Sequence, residues 1–358
     1  MAVQRIADPA SENSRERKNG KRSSVTLKDV AAAAGTSVST VSLVMNHKPG
    51  ARIGKDARAR VLKAIDELGY RPNTLAQGLA RGRSNFIGLV ADSIATTPFA
   101  GQIIHGAQEE AWKRGYVLLI ANTEGDRDLE RRAIEEFMEH NVSGVIYSTW
   151  YHHEITMPPE LTQVTTVLVN CSDPNSEVTA VVPDEFRGGK AAAQMLIDAG
   201  HRRIAFVNST SISPARTGRR AGYLAALEEA GIPADESLMF DTMPYQEGGM
   251  RIAEQVVQTG ATGVCCHNDR VAMGLYDALR DRGLRIPDDL SVVGFDNQEV
   301  IAAHMSPPLS TVQLPHYELG VVGVKMLLED VESPDRAGFS RTIRIDCPPV
   351  MRDSIRRL

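Results

Sequence analysis

The chain has 358 residues, 42% of them hydrophobic, and a net charge of −5 from 40 Lys+Arg against 45 Asp+Glu. That length exceeds one simple core, so two or three domains are expected. No apolar run reaches the roughly 18 residues a membrane helix needs, and the polar first 24 residues lack the apolar stretch of a secretory signal, so a membrane or exported protein is excluded and a cytoplasmic one expected.

The net charge conceals a division. Residues 1–83 hold 16 Lys+Arg and 7 Asp+Glu, a balance of +9, which leaves −14 for the remainder. A basic module on an acidic body suits a polyanionic partner at one end only. Cys171, Cys265, Cys266 and Cys347 form no C-x-x-C pair or Cys/His cluster at metal spacing, so reduced thiols and no metal are expected. No cofactor-binding motif is apparent. No G-x-S-x-G, P-loop or paired-carboxylate motif points to catalysis, and the adjacent His152-His153, in an expected loop, is weak ground for a metal.

In chain order, residues 1–24 read as a disordered basic arm. In TLKDVAAAAGTSVSTVSLVMN (26–46), Leu27, Val30 and Ala31 line one face of a short helix, and Gly35 supplies a point at which it stops. Ser37 is a suitable N-cap for a second helix with Val38, Val41 and Val44 as its apolar face. Two short helices joined by a glycine turn form a helix-turn-helix, whose second helix enters the major groove of DNA; a generic helical hairpin is the alternative. A third helix is predicted over 55–68, with Ala57, Val61, Leu62, Ile65 and Leu68 inward and Gly69 at its end. Residues 73–81 have no core-sized apolar face, and Gly78 costs a helix there roughly 1 kcal/mol, so a helix in this segment should order only on DNA.

Beyond residue 83, apolar runs of strand length (86–92, 116–122, 144–148, 165–170, 203–208, 263–268, 290–296) alternate with helical stretches (about 99–114, 128–140, 185–199, 217–230, 245–259, 269–282). That alternation predicts an α/β body of doubly wound parallel sheets. About 270 residues of it exceed one sheet, so two subdomains with a cleft between them are expected.

The TLKDVA, TVS and YRPNTLAQGLA segments, in this order and spacing, resemble the DNA-binding headpiece and hinge of the LacI/GalR (lactose-repressor) family of bacterial transcription regulators. The resemblance extends through FRGG (186–189), GHR (200–202), RRAGY (219–223), Asn268-Asp269 and GFDN (294–297). It implies an all-helical headpiece (25–72), a hinge helix and linker (73–83), and a periplasmic-binding-protein-like effector and dimerisation domain (84–358). Within that domain it implies an N-subdomain of about 84–183 and 314–336, and a C-subdomain of about 184–313 and 337–358.

The same resemblance assigns base reading to Val38, Ser39 and Leu43 and backbone-facing positions to Thr40, Ser42 and Asn46; Thr26 and Asn73 are further DNA-binding candidates, and Arg81 and Arg83 are read as phosphate contacts. None of the three readers is Arg, Gln or Asn, the side chains that bond bases bidentately; Val38 and Leu43 offer only apolar contact, for example with a thymine methyl. Leu79 stands where the family wedges a leucine into the central base step. In the cleft the resemblance makes Arg219 and Asp296 effector ligands, with Asn268, Asp184, Phe99 and Trp150 as further candidates. Without it, an arginine in an RRAGY helix reads as a solvated face and an aspartate after a buried strand as an N-cap. At Met243, where many sugar-binding members place an aromatic, this chain departs from the pattern.

These readings imply a homodimeric repressor that binds a pseudo-palindromic operator on double-stranded DNA and responds to a small metabolite, a sugar or sugar derivative. A co-repressor-dependent regulator of a non-sugar metabolite, or one answering to a protein partner, is the alternative. With no leucine heptad tail after the last sheet segment, a twofold dimer is expected rather than a tetramer. Leu79→Ala should weaken operator binding and reduce DNA bending while effector affinity holds; equal bending by mutant and parent in a circular-permutation mobility assay would remove the wedge.

Overall fold

Thr26 opens the first helix, α1 (Leu27–Ala34), with a reciprocal cap: its hydroxyl accepts from the Asp29 amide, and its own backbone N–H donates to the Asp29 carboxylate at 2.8 Å. Gly35 ends it in the left-handed region (φ 59°), which a side chain would disfavour. Ser37 Oγ accepts from the Thr40 amide at 3.1 Å and so starts α2 (Val38–Met45). Arg60, on α3 (Lys55–Leu68), donates to the Ala34 carbonyl at 3.1 Å and ties the third helix to the end of the first. The core of this unit is Val30, Ala31, Ala34, Val41, Val44, Val61, Ala64 and Tyr70.

Two expected core faces need correction. Val38 is 40% exposed, and only Val41 and Val44 of α2 are inward. On α3, Leu62 and Leu68 are exposed, and Ala64 takes the place expected for Leu62.

The computed structural model describes residues 25–45, 53–70, 84–94, 97, 100–333 and 341–358. Residues 1–77 and 78–358 form two separate units, each described by itself.

The second unit begins with β1 (Phe86–Ala91), α4 (Gly101–Lys113), β2 (Val117–Asn122), α5 (Arg127–Glu139), β3 (Val145–Glu154), β4 (Thr166–Ser172) and β5 (Thr179–Pro183). A second run follows: α6 (Glu185–Asp198), β6 (Ile204–Ser209), α7 (Pro214–Glu229), β7 (Met239–Thr242), α8 (Gln246–Gln258), β8 (Gly263–Cys266), α9 (Asp269–Asp281), β9 (Ser291–Asp296), α10 (Glu299–Ala302) and β10 (Ser310–Gln313). The chain closes with α11 (His316–Glu332), β11 (Thr342–Ile345) and β12 (Pro349–Val350).

As the β/α alternation predicts, these strands form two sheets, ordered β2-β1-β3-β4-β5-β11 and β7-β6-β8-β9-β10-β12. All pairs are parallel except β10 with β12. The two orders are the same order repeated, with helices on both faces, as parallel sheets require.

The tail does not belong wholly to the C-subdomain. β11 pairs with β5 of the first sheet, Thr342 opposite Ala180, and only β12 joins the second, Thr311 opposite Val350. The edge of β5 would otherwise expose an open ladder, and four residues of β11 cover it. The chain therefore crosses between the sheets after Pro183, after Gln313 and again after Ile345. His152 and His153 are also not in a loop: β3 continues through them past an irregularity between Ser148 and His153.

Helices on one face of a sheet meet through reciprocal glycines. Between α6 and α7, a Cβ on Gly222 would lie 2.0 Å from the Phe186 carbonyl oxygen, and one on Gly189 would lie 2.3 Å from that of Arg219. Gly106 with Gly320 (α4–α11) and Gly249 with Gly274 (α8–α9) repeat the device. Backbone contact at this distance admits no methyl without moving a helix. Gly222→Ala should lower unfolding stability by at least about 1–3 kcal/mol, read from the urea midpoint; an unchanged midpoint would show that α6 and α7 can separate freely.

Candidate functional site

In both sheets the strand order reverses, between β1 and β3 and between β6 and β8. A crevice opens at such switch points, beyond the carboxyl ends of the strands. The carboxyl ends of β3, β6, β8 and β9 do converge, on a cavity of 180 Å³. Trp150, Tyr151 and His152 enter it from β3, Ser209 from the end of β6, and Arg219 from the second turn of α7. His267 and Asn268 follow β8, Asp296 ends β9, and Tyr245 stands just before α8.

Its floor is a chain of buried charges. Arg219, 4% exposed, donates from Nε to Glu185 Oε2 at 2.7 Å. Its Nη1 bonds the His267 carbonyl and lies 3.6 Å from Asp296 Oδ1. The guanidinium also lies over the Phe295 ring, 3.6 Å from its centroid. Glu185 in turn meets His152 Nδ1 at 3.2 Å, so the chain passes from the second sheet's subdomain to a strand of the first. Burial pushes the Glu185 carboxyl up, but Arg219 and His152 outweigh it and leave it at about 2. Burial lifts Asp296 to about 6 against the pull of Arg219. Asp269, fully buried behind it, is raised too, by burial first and by Asp296 second. Gln298 links these two carboxylates: its backbone N–H donates to Asp269 at 2.7 Å and its side chain to Asp296 at 2.9 Å.

The backbone here is in a sparsely populated region. Asp296 has φ 102° and Asn297 φ 53°, conformations that side-chain-bearing residues adopt only where surroundings enforce them. Arg352 Nη2 donates to Asn297 Oδ1 at 2.7 Å, and the Leu314 amide donates to the Asp296 carbonyl at 3.2 Å.

Of the sequence-derived cleft residues, the structure brings Trp150, Arg219, Asn268 and Asp296 to this one cavity. Arg219 is no solvated side chain. Asn268 lines the wall but has backbone duties, capping α9 through the Val271 amide at 2.9 Å and donating to the Pro244 carbonyl at 3.0 Å. Asp184 does not line the cavity: it caps α6 through the Arg187 amide at 2.9 Å and faces a neighbouring groove. Phe99 lies outside the described residues. Sequence reasoning missed Glu185, His152, His267 and the aromatics Tyr151 and Tyr245. Met243 is not on the wall; Tyr245, two residues on, supplies the ring.

In the helical unit, Thr26 caps α1 and is exposed, and Val38 and Ser39 stand exposed at the start of α2. Thr40 shares a 2.9 Å hydroxyl contact with Ser37, while Ser42 and Leu43 are half-buried. Asn46, Asn73, Leu79 and Arg81 lie outside the described residues, as does the expected hinge helix. The four cysteines are free and buried, and no group of metal-binding geometry occurs among the described residues. No described helix is long and apolar enough to cross a membrane.

A helix-turn-helix unit followed by two switch-point sheets around a cavity lined by aromatic rings and polar groups is the build of a ligand-responsive bacterial transcription regulator. Residues 26–73 match the family described as bacterial regulatory proteins, lacI family, and residues 171–355 match the periplasmic binding protein-like domain. The transcriptional regulator DegA of Bacillus subtilis (strain 168) is 35% identical over 300 residues, 82% of this chain and 88% of DegA. The ribose operon repressor of Escherichia coli (strain K12) is 33% identical over 316 residues, 86% of this chain and 94% of that protein. The lac repressor dimer bound to operator and the anti-inducer ONPF superposes with a TM-score of 0.72 at 26% identity, covering 93% of this chain and 99% of that one. The chain belongs to the lacI family of bacterial regulatory proteins, and it is a DNA-binding transcription regulator.

Burial holds His267 at about 3, with Arg219 adding to the effect, so it is neutral in the folded protein. Its unfolded counterpart takes a proton near 6.5, so its contribution to stability is full above that pH and is lost as pH falls from 6.5 toward 3. The raised Asp296 and Asp269 run the other way, favouring the fold as pH falls, and are common to parent and variant. Between pH 7.5 and 5 the parent should therefore lose more stability than His267→Gln, by about 2 kcal/mol, in urea titrations. Equal losses would mean that His267 is not held neutral.

Proposed function

We propose that this regulator is a repressor that binds a pseudo-palindromic operator as a twofold dimer and is controlled by a neutral polyhydroxylated metabolite, a sugar or sugar derivative, in the cavity. It has no catalytic role in this reading. The observation that carries it is the balance of the cavity wall: rings from Trp150, Tyr151 and Tyr245 beside fixed donors and acceptors, with the Arg219 charge already matched by Glu185 and Asp296. Aromatic faces take the C–H surface of a sugar ring, and convergent polar groups fix its hydroxyls. An anionic ligand would need an excess cation, and the wall has none: Arg219 and Arg270 stand against the two carboxylates Glu185 and Asp296. Arg219 Nη2 and the outer lone pairs of Asp296 are the groups assigned to ligand hydroxyls. Leu79 and the basic residues of the hinge supply the wedge and phosphate contacts on the operator.

Arg219→Ala is a poor probe of this reading, because it would strand Glu185 and Asp296 as buried charges at a cost of about 3–5 kcal/mol. Tyr245, 47% exposed, can be removed without that cost. In calorimetric titrations with neutral pentoses, hexoses and disaccharides, and with the matching sugar acids and phosphates, a neutral sugar should bind. Tyr245→Ala should weaken it roughly two- to tenfold, the 0.5–1.5 kcal/mol range of an aromatic contact, with operator affinity unchanged in its absence. Binding of the anionic forms alone would overturn the sugar reading.

A further inference from the structure

We infer that this protein reads its operator through thymine methyl groups, with Val38 as the residue that selects one thymine in each half-site. The inference rests on the operator-binding reading above and specifies what that surface recognises.

The N-terminal residues of a helix-turn-helix recognition helix are the ones that meet base edges. Here α2, from Val38 to Met45, contains no charged or amide side chain, so the bidentate hydrogen bonds by which Arg, Lys, Asn and Gln identify guanine and adenine are not available along it. Val41 and Val44 are consumed by the core, and Leu43, the other apolar side chain assigned to base reading, is half-buried and stands more than a turn beyond the leading end of the helix. The Ser37 and Thr40 hydroxyls face each other at 2.9 Å within the cap. At the leading end Val38 is 40% exposed and Ser39 is exposed. Ser39 can bond any base and therefore selects none.

Val38 is different. Its χ1 is stiff because it is β-branched, and the Ser37 cap fixes the turn that carries it, so the isopropyl group is presented in a set direction. Of the base edges in the major groove, only that of thymine carries an apolar group, the C5 methyl. Against cytosine, adenine or guanine the same side chain would cover a donor or acceptor and offer nothing in return. One exposed valine thus both favours thymine and penalises the other three bases.

The test uses the full-length protein and duplexes it selects from a random pool at fixed salt. Each thymine of a selected duplex is replaced singly by deoxyuridine, which removes the methyl and keeps the pairing, and affinity is read by fluorescence anisotropy. One thymine per half-site should be sensitive, with a loss of roughly fourfold, the transfer value of one buried methyl group, and roughly sixteenfold when both half-sites are changed. Val38→Ala, at an exposed position outside the core, should still bind with that sensitivity reduced, and Val38→Ser, which puts a hydroxyl where the methyl contact was, should lose it. A cytosine–guanine pair placed there should bind better when the cytosine is 5-methylated. Selected duplexes with no uridine-sensitive thymine, or equal sensitivity in Val38→Ala, would overturn the inference and leave operator binding intact. Selection of no duplex at all would overturn the operator reading itself.

Discussion

Much of this molecule depends on keeping one arginine charged at the buried floor of a cavity. Arg219 is only 4% exposed, and an isolated guanidinium so buried would be intolerably costly. It is tolerable because Glu185, Asp296 and the His267 carbonyl surround it and the Phe295 ring lies beneath it. Each partner arrives from a different element: the first turn of α6, the end of β9 and the end of β8. The close glycine packing of α6 against α7 sets the depth at which Arg219 meets Glu185. The strained Asp296-Asn297 backbone is what turns a carboxylate toward it at the end of a strand.

The same network supplies a physical route for control. Through His152 and Glu185 it spans from the first sheet to the second, and its groups line the cavity. A ligand that engages Tyr151 and Trp150 on one side and Asp296 and Tyr245 on the other has contacts that depend on how the two subdomains are set. Only such differential affinity can move a conformational equilibrium; a ligand with equal affinity for both settings shifts nothing. Three chain crossings, after Pro183, Gln313 and Ile345, join the subdomains. Two of them touch, since the Asp184 amide donates to the Ile345 carbonyl at 2.8 Å.

How much of this was legible in the sequence follows from the range of the interactions. Gly35, Gly69 and Ser37 act on neighbours within a few residues, and their roles as stops and cap were readable. Strands such as β1, β4 and β9 are buried on both faces and read as continuous apolar runs. α11 was not read as a helix although Glu318, Lys325, Glu329 and Glu332 share one side of it, because Gly320 and Gly323 thin out its apolar face; β11 and β12 are too short for a period to show. The site was legible through family words at Arg219 and Asp296, but their partners were not. Glu185 and Arg219 are 34 positions apart, and His152 and Glu185 are 33 apart, so no local pattern joins them. Val38 misled because the 3.6-residue period continues through the first turn of α2 although the core does not.

The central claim is that the cavity and the DNA-binding surface share one equilibrium. Linkage makes this directly measurable, because coupling between two binding sites must be reciprocal. The decisive measurement is the affinity of the full-length protein for its cavity ligand, by titration calorimetry, with and without saturating operator duplex. The account predicts that operator changes ligand affinity by the same factor by which ligand changes operator affinity. Ligand affinity that is identical in the two conditions would contradict it.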